Sequence, residues 1–383
     1  MSECEKIVQN RKPGQMNEQI SNFLRSRIDA GDFPSAVYLV AEKGEIVLHD
    51  AVGYSVVEPE RIVATTETIY DLASLTKVLI TGLLTAKLIE SDKLRLDDRV
   101  SLYLTEFDSD EKRAITVKDL LTHTSSFPAW KPLYLCVSDR TEVLNEIART
   151  PLKFDQEAVT YSDLNFVTIG AILERFTGNT IDTISAAELF GPLDLANTFF
   201  NPPREIKQRI AASELGNGYE KQTCTNLGYD VSGHGWRDHQ IWGEVHDGNA
   251  HFMGGVAGHA GLFSTAEEIF KIAQQFLPNY TTILKPETCE IFRTNFTPGV
   301  NEHRSFAFQL ASTPDSSAGT TISRESFGHN GFTGTSLWID PVKERIFVLL
   351  TNRTHDHDLP FVIINSVRRK FHDLAIAYLD KNL

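Results

Sequence analysis

Ser74 and Lys77 stand three residues apart in Ser74-Leu75-Thr76-Lys77, at the head of an apolar stretch over 78–89. Positions i and i+3 share a helix face, so the serine hydroxyl and the lysine amine can meet. A helix N-terminus carries positive potential. That field favours a neutral lysine and a developing serine oxyanion, and a neutral lysine is a base able to activate a nucleophile. An isolated Ser-x-x-Lys arises by chance about once in a chain of this length, so the pattern needs partners.

Two further groups supply them. Tyr161-Ser162-Asp163 precedes an amphipathic segment over 164–176 that stops at Gly178. In a purely structural role, Ser162 or Asp163 caps that helix and Tyr161 packs beside it. In a chemical role, a Tyr161 phenolate held by Lys77 takes the serine proton and later returns it to the leaving group. His329-Asn330-Gly331-Phe332 leads through Thr333-Gly334-Thr335 into an apolar strand over 336–339. Structurally this is a strand entry with a glycine for close backbone approach. Chemically, Gly331 removes a side chain that would block substrate, and the amides of Ser74 and Phe332 form an oxyanion hole. Competing serine and zinc chemistries lack their signatures, since neither G-x-S-x-G nor H-E-x-x-H occurs.

The elements that must hold these groups follow from periodicity. Residues 16–30 show helical spacing at Ile20, Phe23, Leu24 and Ile28. Apolar runs over 36–41 and 46–49 flank Glu42-Lys43-Gly44-Glu45, a β-hairpin, and runs over 336–339 and 345–350 flank Asp340-Pro341-Val342-Lys343, another. A helix is expected over 362–379. The middle reads as helices over 72–90, 117–122, 163–176, 181–190 and 265–277, joined by loops rich in Gly, Pro, Asn and Asp. Strand-rich ends around a helical middle predict an α+β fold: one antiparallel sheet built from both ends, flanked by terminal helices, with a large helical insertion. The boundaries read as 1–65 and 318–383 for the two parts of the sheet domain and 66–317 for the insertion. The active site is expected where the two parts meet.

With the three groups in this order along the chain, the phrases TIYDLASLTKV, ITVKDLLTHTSSFP, YSDLNF, GGVAGHAGLFST and GHNGFTGTSLWIDP resemble the class C β-lactamase superfamily. That superfamily includes penicillin-binding D-Ala-D-Ala peptidases and the family VIII carboxylesterases, and the resemblance spans residues 30–355. It implies a β-lactamase/transpeptidase-like fold. It also implies Ser74 as nucleophile, Lys77 as base partner, Tyr161 as proton shuttle, the Ser74 and Phe332 amides as oxyanion donors, and Asp163, His329, Asn330 and Gly331 against the substrate. Two departures stand out. The middle motif usually ends in Asn, whereas Asp163 is a carboxylate that would favour a charged Lys77. The third motif of true β-lactamases is Lys-Thr-Gly, whereas here His329 stands in place of the lysine. With an ordinary pKa of about 6.5, His329 is expected to be neutral at pH 8 and cationic in acid. Carboxylated substrates would then be held less firmly than neutral esters. The expected activity is therefore hydrolysis of carboxylic esters through an acyl-enzyme. The alternatives are a D-Ala-D-Ala carboxypeptidase or weak β-lactamase, and a catalytically silent scaffold.

Other features are read as secondary. His246, Asp247, His251 and His259 cluster among glycines, but their spacing matches no zinc pattern, and a tightly packed loop bordering the site is expected instead of a metal centre. Trp130, Trp236, Trp242 and Phe252 are candidates for an acyl pocket. His123 is expected to be a structural hydrogen bonder. The chain has 383 residues and a formal net charge of −14, which argues against nucleic acid and anionic membranes as partners. The expected partner is a small-molecule ester, amide or β-lactam, with no cofactor and no metal. Four cysteines (Cys4, Cys136, Cys224 and Cys289) without a CxxC pair suggest reduced thiols. The polar N-terminus has no apolar secretory core, and the 78–89 stretch is too short for a membrane span, so a cytoplasmic location is expected.

Overall fold

The computed structural model describes residues 17–154 and 158–381. Cys4, the polar N-terminal segment and the first residue of the expected 16–30 helix lie outside them. Strands β1 (Ser35–Glu42) and β2 (Glu45–Val56) form the first hairpin, and β2 is continued by β3 (Ile62–Val63). Lys43 and Gly44 both take positive φ (51° and 80°), as a two-residue hairpin turn with the sheet's twist requires. A small second sheet has the order β4 (Tyr70–Asp71), β6 (Leu262–Ser264), β5 (Phe199–Phe200). The C-terminal part supplies β7 (Gln309–Leu310), β8 (Phe327–Asn330), β9 (Ser336–Asp340) and β10 (Arg345–Thr351).

The two ends of the chain share one sheet, ordered β3-β2-β1-β10-β9-β8-β7 and antiparallel throughout. Its centre is the β1–β10 pair, in register from Ala36 opposite Thr351 to Glu42 opposite Arg345. Successive side chains point to opposite faces. Val37, Leu39, Ile346, Val348 and Leu350 therefore pack on the helical middle of the chain, beside Leu75, Val78 and Leu79. Tyr38, Val40, Phe347, Leu349 and Trp338 face the other way. There they meet Ile20 and Leu24 of α1 (Glu18–Asp29) and the Phe371, Ala375 and Leu379 side of the C-terminal helix. Both faces are covered, which explains the near-continuous apolar runs of β1 and β10.

Further helices frame the site. A π-helical turn, Lys77–Gly82, runs into α2 (Leu83–Glu90). Helix α3 (Asp163–Thr177) ends at Gly178 in the left-handed region (φ 72°). Helix α4 (Ala266–Ala273) packs against β1 and β10, and α5 (Asn365–Lys381) closes the chain. The fold is α+β, as expected, but two boundaries differ. The 72–90 helix starts late, because Tyr70–Asp71 belongs to a strand and Asp71 Oδ1 accepts the Ala73 N–H at 2.9 Å. That bond holds Ala73 at φ 45°, off the helical path, and leaves Ser74 in a turn. The C-terminal helix begins at Asn365 rather than 362. Among the described residues, no helix is long and apolar enough to cross a membrane.

Candidate active site

Ser74 sits in the turn that joins β4 to the π-helical segment, one residue after the left-handed Ala73. Sparsely populated backbone conformations of this kind recur at functional sites. Lys77 follows on the first turn and is fully buried. Its Nζ donates to Ser74 Oγ at 2.9 Å and to the His259 carbonyl at 3.0 Å, and it lies 2.7 Å from Asp163 Oδ1. The carboxylate comes from the first turn of α3, so the helix start is used to hold the lysine. Neither Ser162 nor Asp163 caps α3 with its side chain: Ser162 Oγ donates instead to the Pro128 carbonyl at 2.7 Å.

These neighbours decide the charge of Lys77. Burial pushes its pKa down, but Asp163 and Tyr161 push harder in the other direction, and the net shift is upward. The expectation of a neutral lysine, drawn from the helix terminus, is corrected: a carboxylate 2.7 Å away outweighs the partial charge of a helix end. Tyr161 is half-buried with its hydroxyl enclosed, and its ring centre lies 5.2 Å from Lys77 Nζ. Burial raises the phenol pKa, the ammonium partly opposes this, and the net shift is again upward. At rest the pair is thus an ammonium and a phenol. His123 fixes the Tyr161 ring from behind. Its Nδ1 accepts the Ser162 N–H at 3.0 Å and lies 3.1 Å from Asn165 Nδ2, while its ring packs 4.6 Å from that of Tyr161. This is the structural hydrogen bonder that was expected.

The third segment is tied directly to the first. Thr333 Oγ1 donates to the Asp71 carbonyl at 2.7 Å, and Thr335 Oγ1 donates to the Leu72 carbonyl at 3.1 Å. A Cβ on Gly331 would fall 2.0 Å from Thr335 Oγ1 and 2.5 Å from the Leu72 carbonyl oxygen. Gly331 is therefore required for the two segments to approach, and it also lines the cavity beside Ser74. Phe332, next in the chain, lines the same cavity as Ser74. Asn330 lines it too, with its Oδ1 accepting from Ser317 Oγ at 2.9 Å.

His329 is buried, with Nδ1 2.9 Å from the Asn330 carbonyl. Burial first, then the positive charges of Arg304 and Lys77, hold its pKa well below the ordinary imidazole value. This shift favours the neutral ring and runs against the expected imidazolium in mild acid.

The glycine-rich loop borders the site by packing. Gly258 abuts α3, where a Cβ would come within 2.2 Å of the Phe166 carbonyl oxygen. This contact delivers the His259 carbonyl to Lys77. The four clustered groups do not converge on one point: His259 pairs with Asp247 at 2.9 Å, while His246 pairs with Glu214 at 2.8 Å and His251 lies near Glu244 at 3.6 Å. Of the four aromatic candidates, Trp130 alone lines the cavity. Trp242 is tied to the Ile210 carbonyl, Trp236 meets Tyr134 and His234 edge to face, and Phe252 packs on the core.

Sequence reasoning missed the charged walls of this cavity, whose volume is about 670 Å³. Arg304, Arg353 and Arg368 line it together with Glu220. Burial lowers Arg353 to about 10 and Arg368 to about 9, and raises the Glu220 carboxyl to about 7. No local motif marks these residues. Arg368 carried one faint signal, a cation on the apolar side of a predicted helix.

Residues 20–364 match the Beta-lactamase family model. The chain belongs to the Beta-lactamase family. Within it, the chain is 33% identical over 365 residues to an Escherichia coli (strain K12) protein named "Putative D-alanyl-D-alanine carboxypeptidase", with 88% of this chain and 82% of the relative covered. Among solved structures it is similar to the octameric penicillin-binding protein homologue from Pyrococcus abyssi (TM-score 0.71, 19% identity, covering 94% of this chain and 77% of that one). It is also similar to EstCE1, a hydrolase with promiscuous acyltransferase activity (TM-score 0.69, 20% identity, covering 97% and 100%). At such identities these structures establish the β-lactamase-type fold. The family and the relative in E. coli make the chain a β-lactamase-related serine hydrolase.

Proposed function

We propose that this chain hydrolyses carboxylic esters through an acyl-enzyme on Ser74, with Lys77 and Tyr161 as one proton-transfer unit. The observation that carries the reading is the 2.9 Å contact from Lys77 Nζ to Ser74 Oγ inside a cavity also lined by Tyr161 and Phe332. Lys77 occupies a lone pair of the serine oxygen, so the serine O–H is free to point at the Tyr161 phenol. The resting unit holds one proton too many to act as a base. Once that proton is lost, a phenolate beside an ammonium accepts the serine proton. The Ser74 Oγ–acyl bond forms, the bond to the leaving alcohol breaks, and Tyr161 returns the proton to the alcohol oxygen. A water molecule, deprotonated by the same unit, then frees the acid. The Ser74 and Phe332 amides serve as oxyanion donors.

A second reading, cleavage of an amide such as a D-Ala-D-Ala peptide or a β-lactam, is favoured by the guanidiniums along the cavity and by the name of the relative in E. coli. The free thiols Cys136, Cys224 and Cys289 support a reducing, cytoplasmic location. That location in turn favours esters over cell-wall peptides.

The test is direct. After treatment with an aryl phosphonate, mass spectrometry should find one adduct, on the peptide containing Ser74, and Ser74→Ala should abolish turnover of p-nitrophenyl butyrate. An adduct elsewhere, or an active Ser74→Ala protein, refutes the assignment. Parallel assays with nitrocefin and a D-Ala-D-Ala peptide separate the two substrate readings.

A further inference from the structure

Arg368 is a buried cation without a counter-charge. It stands in the first turn of α5 and is 6% exposed. No carboxylate opposes its charge among the described residues, and the neighbouring Arg353 adds to it. The N-terminus of a helix carries positive potential as well. Burying an uncompensated charge is costly, so the stability of α5 does not explain this residue.

What the guanidinium holds is specific. Nη2 donates to the Gly331 and Thr335 carbonyls, each at 2.9 Å, and Nη1 donates to Asn365 Oδ1 at 2.9 Å. The same two carbonyls close a turn. Thr335 accepts the Gly331 N–H at 2.8 Å, and Gly331 accepts the Gly334 N–H at 3.1 Å. Arg368 is thus a clasp across the base of the 331–335 turn.

The Gly331 carbonyl belongs to the peptide unit that carries the Phe332 N–H. A trans peptide is planar, and its C=O and N–H point in opposite directions. Two donors, Gly334 N–H and Arg368 Nη2, fix the carbonyl end. The Phe332 N–H faces the other way and donates to no acceptor among the described residues. Phe332 and Ser74 line one cavity. A charged donor on the carbonyl oxygen also polarises the amide, since linked hydrogen bonds strengthen one another. Arg353 is placed differently: its Nε donates to the Phe332 carbonyl at 2.6 Å, which lies in the next peptide unit.

We propose that Arg368 is a positioning residue that acts through the Gly331–Phe332 peptide, aiming and polarising the Phe332 N–H toward the oxyanion that forms when Ser74 attacks. The counter-charge that the guanidinium lacks at rest appears in the transition state, where a preorganised donor counts most. The inference rests on the oxyanion role given above to the Phe332 amide, and it holds for ester and amide alike.

Two probes test it together: p-nitrophenyl butyrate, which carries no carboxylate, and phenylboronic acid, which binds a reactive serine as a tetrahedral anion. Values are taken per Ser74 site labelled by the aryl phosphonate, so unfolded protein drops out. Arg368→Gln should lower kcat by roughly 10- to 100-fold with KM moving little, somewhat less than the loss of a whole oxyanion donor. It should weaken phenylboronic acid by a similar factor. Arg368→Lys keeps the charge but loses the bridge between two carbonyls, so it should fall between, with kcat and boronate affinity changing in step. Native kcat and native boronate affinity in the variants that fold overturn the proposal. So does a fall in kcat that boronate affinity does not follow. A loss seen with nitrocefin, which has a carboxylate, but not with p-nitrophenyl butyrate also overturns it, because Arg368 would then serve substrate charge and not the oxyanion. If the native chain takes no label at Ser74, acyl transfer itself fails, a result distinct from normal labelling with unaffected variants.

Discussion

Lys77 Nζ lies 2.7 Å from Asp163 Oδ1, and the same nitrogen donates to Ser74 Oγ at 2.9 Å. The lysine that contacts the Ser74 hydroxyl is thereby held as a cation. The fully buried ammonium is tolerated because a carboxylate and two oxygen acceptors surround it. This makes the site's activity a matter of proton count.

The first prediction concerns pH. With Lys77 and Tyr161 both shifted upward, the base form appears only as pH rises above neutral. The kcat/KM for p-nitrophenyl butyrate should climb through an alkaline ionisation. Asp163 is among the causes that raise Lys77, so Asp163→Asn should move that climb toward lower pH. A pH–rate profile of both proteins decides it; an unchanged or alkaline-shifted limb in Asp163→Asn would contradict the charge assignment.

The second prediction is non-additivity. Lys77→Ala and Tyr161→Phe should each lower kcat by roughly 10²-fold or more, and the double variant should be little worse than either. Multiplying losses would mean that the two act on separate protons.

The third prediction tests the tie between the two site segments. Thr333→Val keeps the side-chain shape but strips the buried Asp71 carbonyl of its 2.7 Å donor. The cost should be about 1–3 kcal/mol in urea denaturation. Because the tie positions Phe332 relative to Ser74, kcat should fall on the order of 10- to 100-fold, with KM moving less. A destabilised variant with normal kcat would separate the tie from the oxyanion geometry.

The fourth prediction follows from the neutral His329. The ratio of kcat/KM for nitrocefin over p-nitrophenyl butyrate should be flat between pH 5 and 8 as far as this ring is concerned, because its proton is lost well below the ordinary imidazole range. His329→Gln should leave the pH dependence of that ratio as it was. A step in the native ratio near pH 6.5 that vanishes in His329→Gln would show an ionising, substrate-facing imidazole.

The sequence by itself determined the frame. Runs of alternating packing partners at 36–41 and 345–350 are buried on both faces and pair with each other, so both ends of the chain had to share one sheet. The i to i+3 spacing of Ser74 and Lys77 was enough to put the two groups in contact, because that relation is local. The glycines at 254–261 were legible as a packed loop, and at Gly258 and Gly261 only a residue without a Cβ fits where backbone meets backbone. Charge states were another matter. Lys77 reads as a neutral base from its own helix, and becomes an ammonium only when folding brings Asp163 from α3 to within 2.7 Å. His329 reads as a titrating cation, and becomes a neutral ring only when burial is combined with Arg304 and Lys77. The cationic wall of the cavity, Arg304, Arg353 and Arg368, arises from three separated stretches with no shared motif. Local pattern encodes which backbone hydrogen bonds form and which face is apolar. Electrostatic energy depends on through-space distance and on exclusion of water, and both are set only by the tertiary structure.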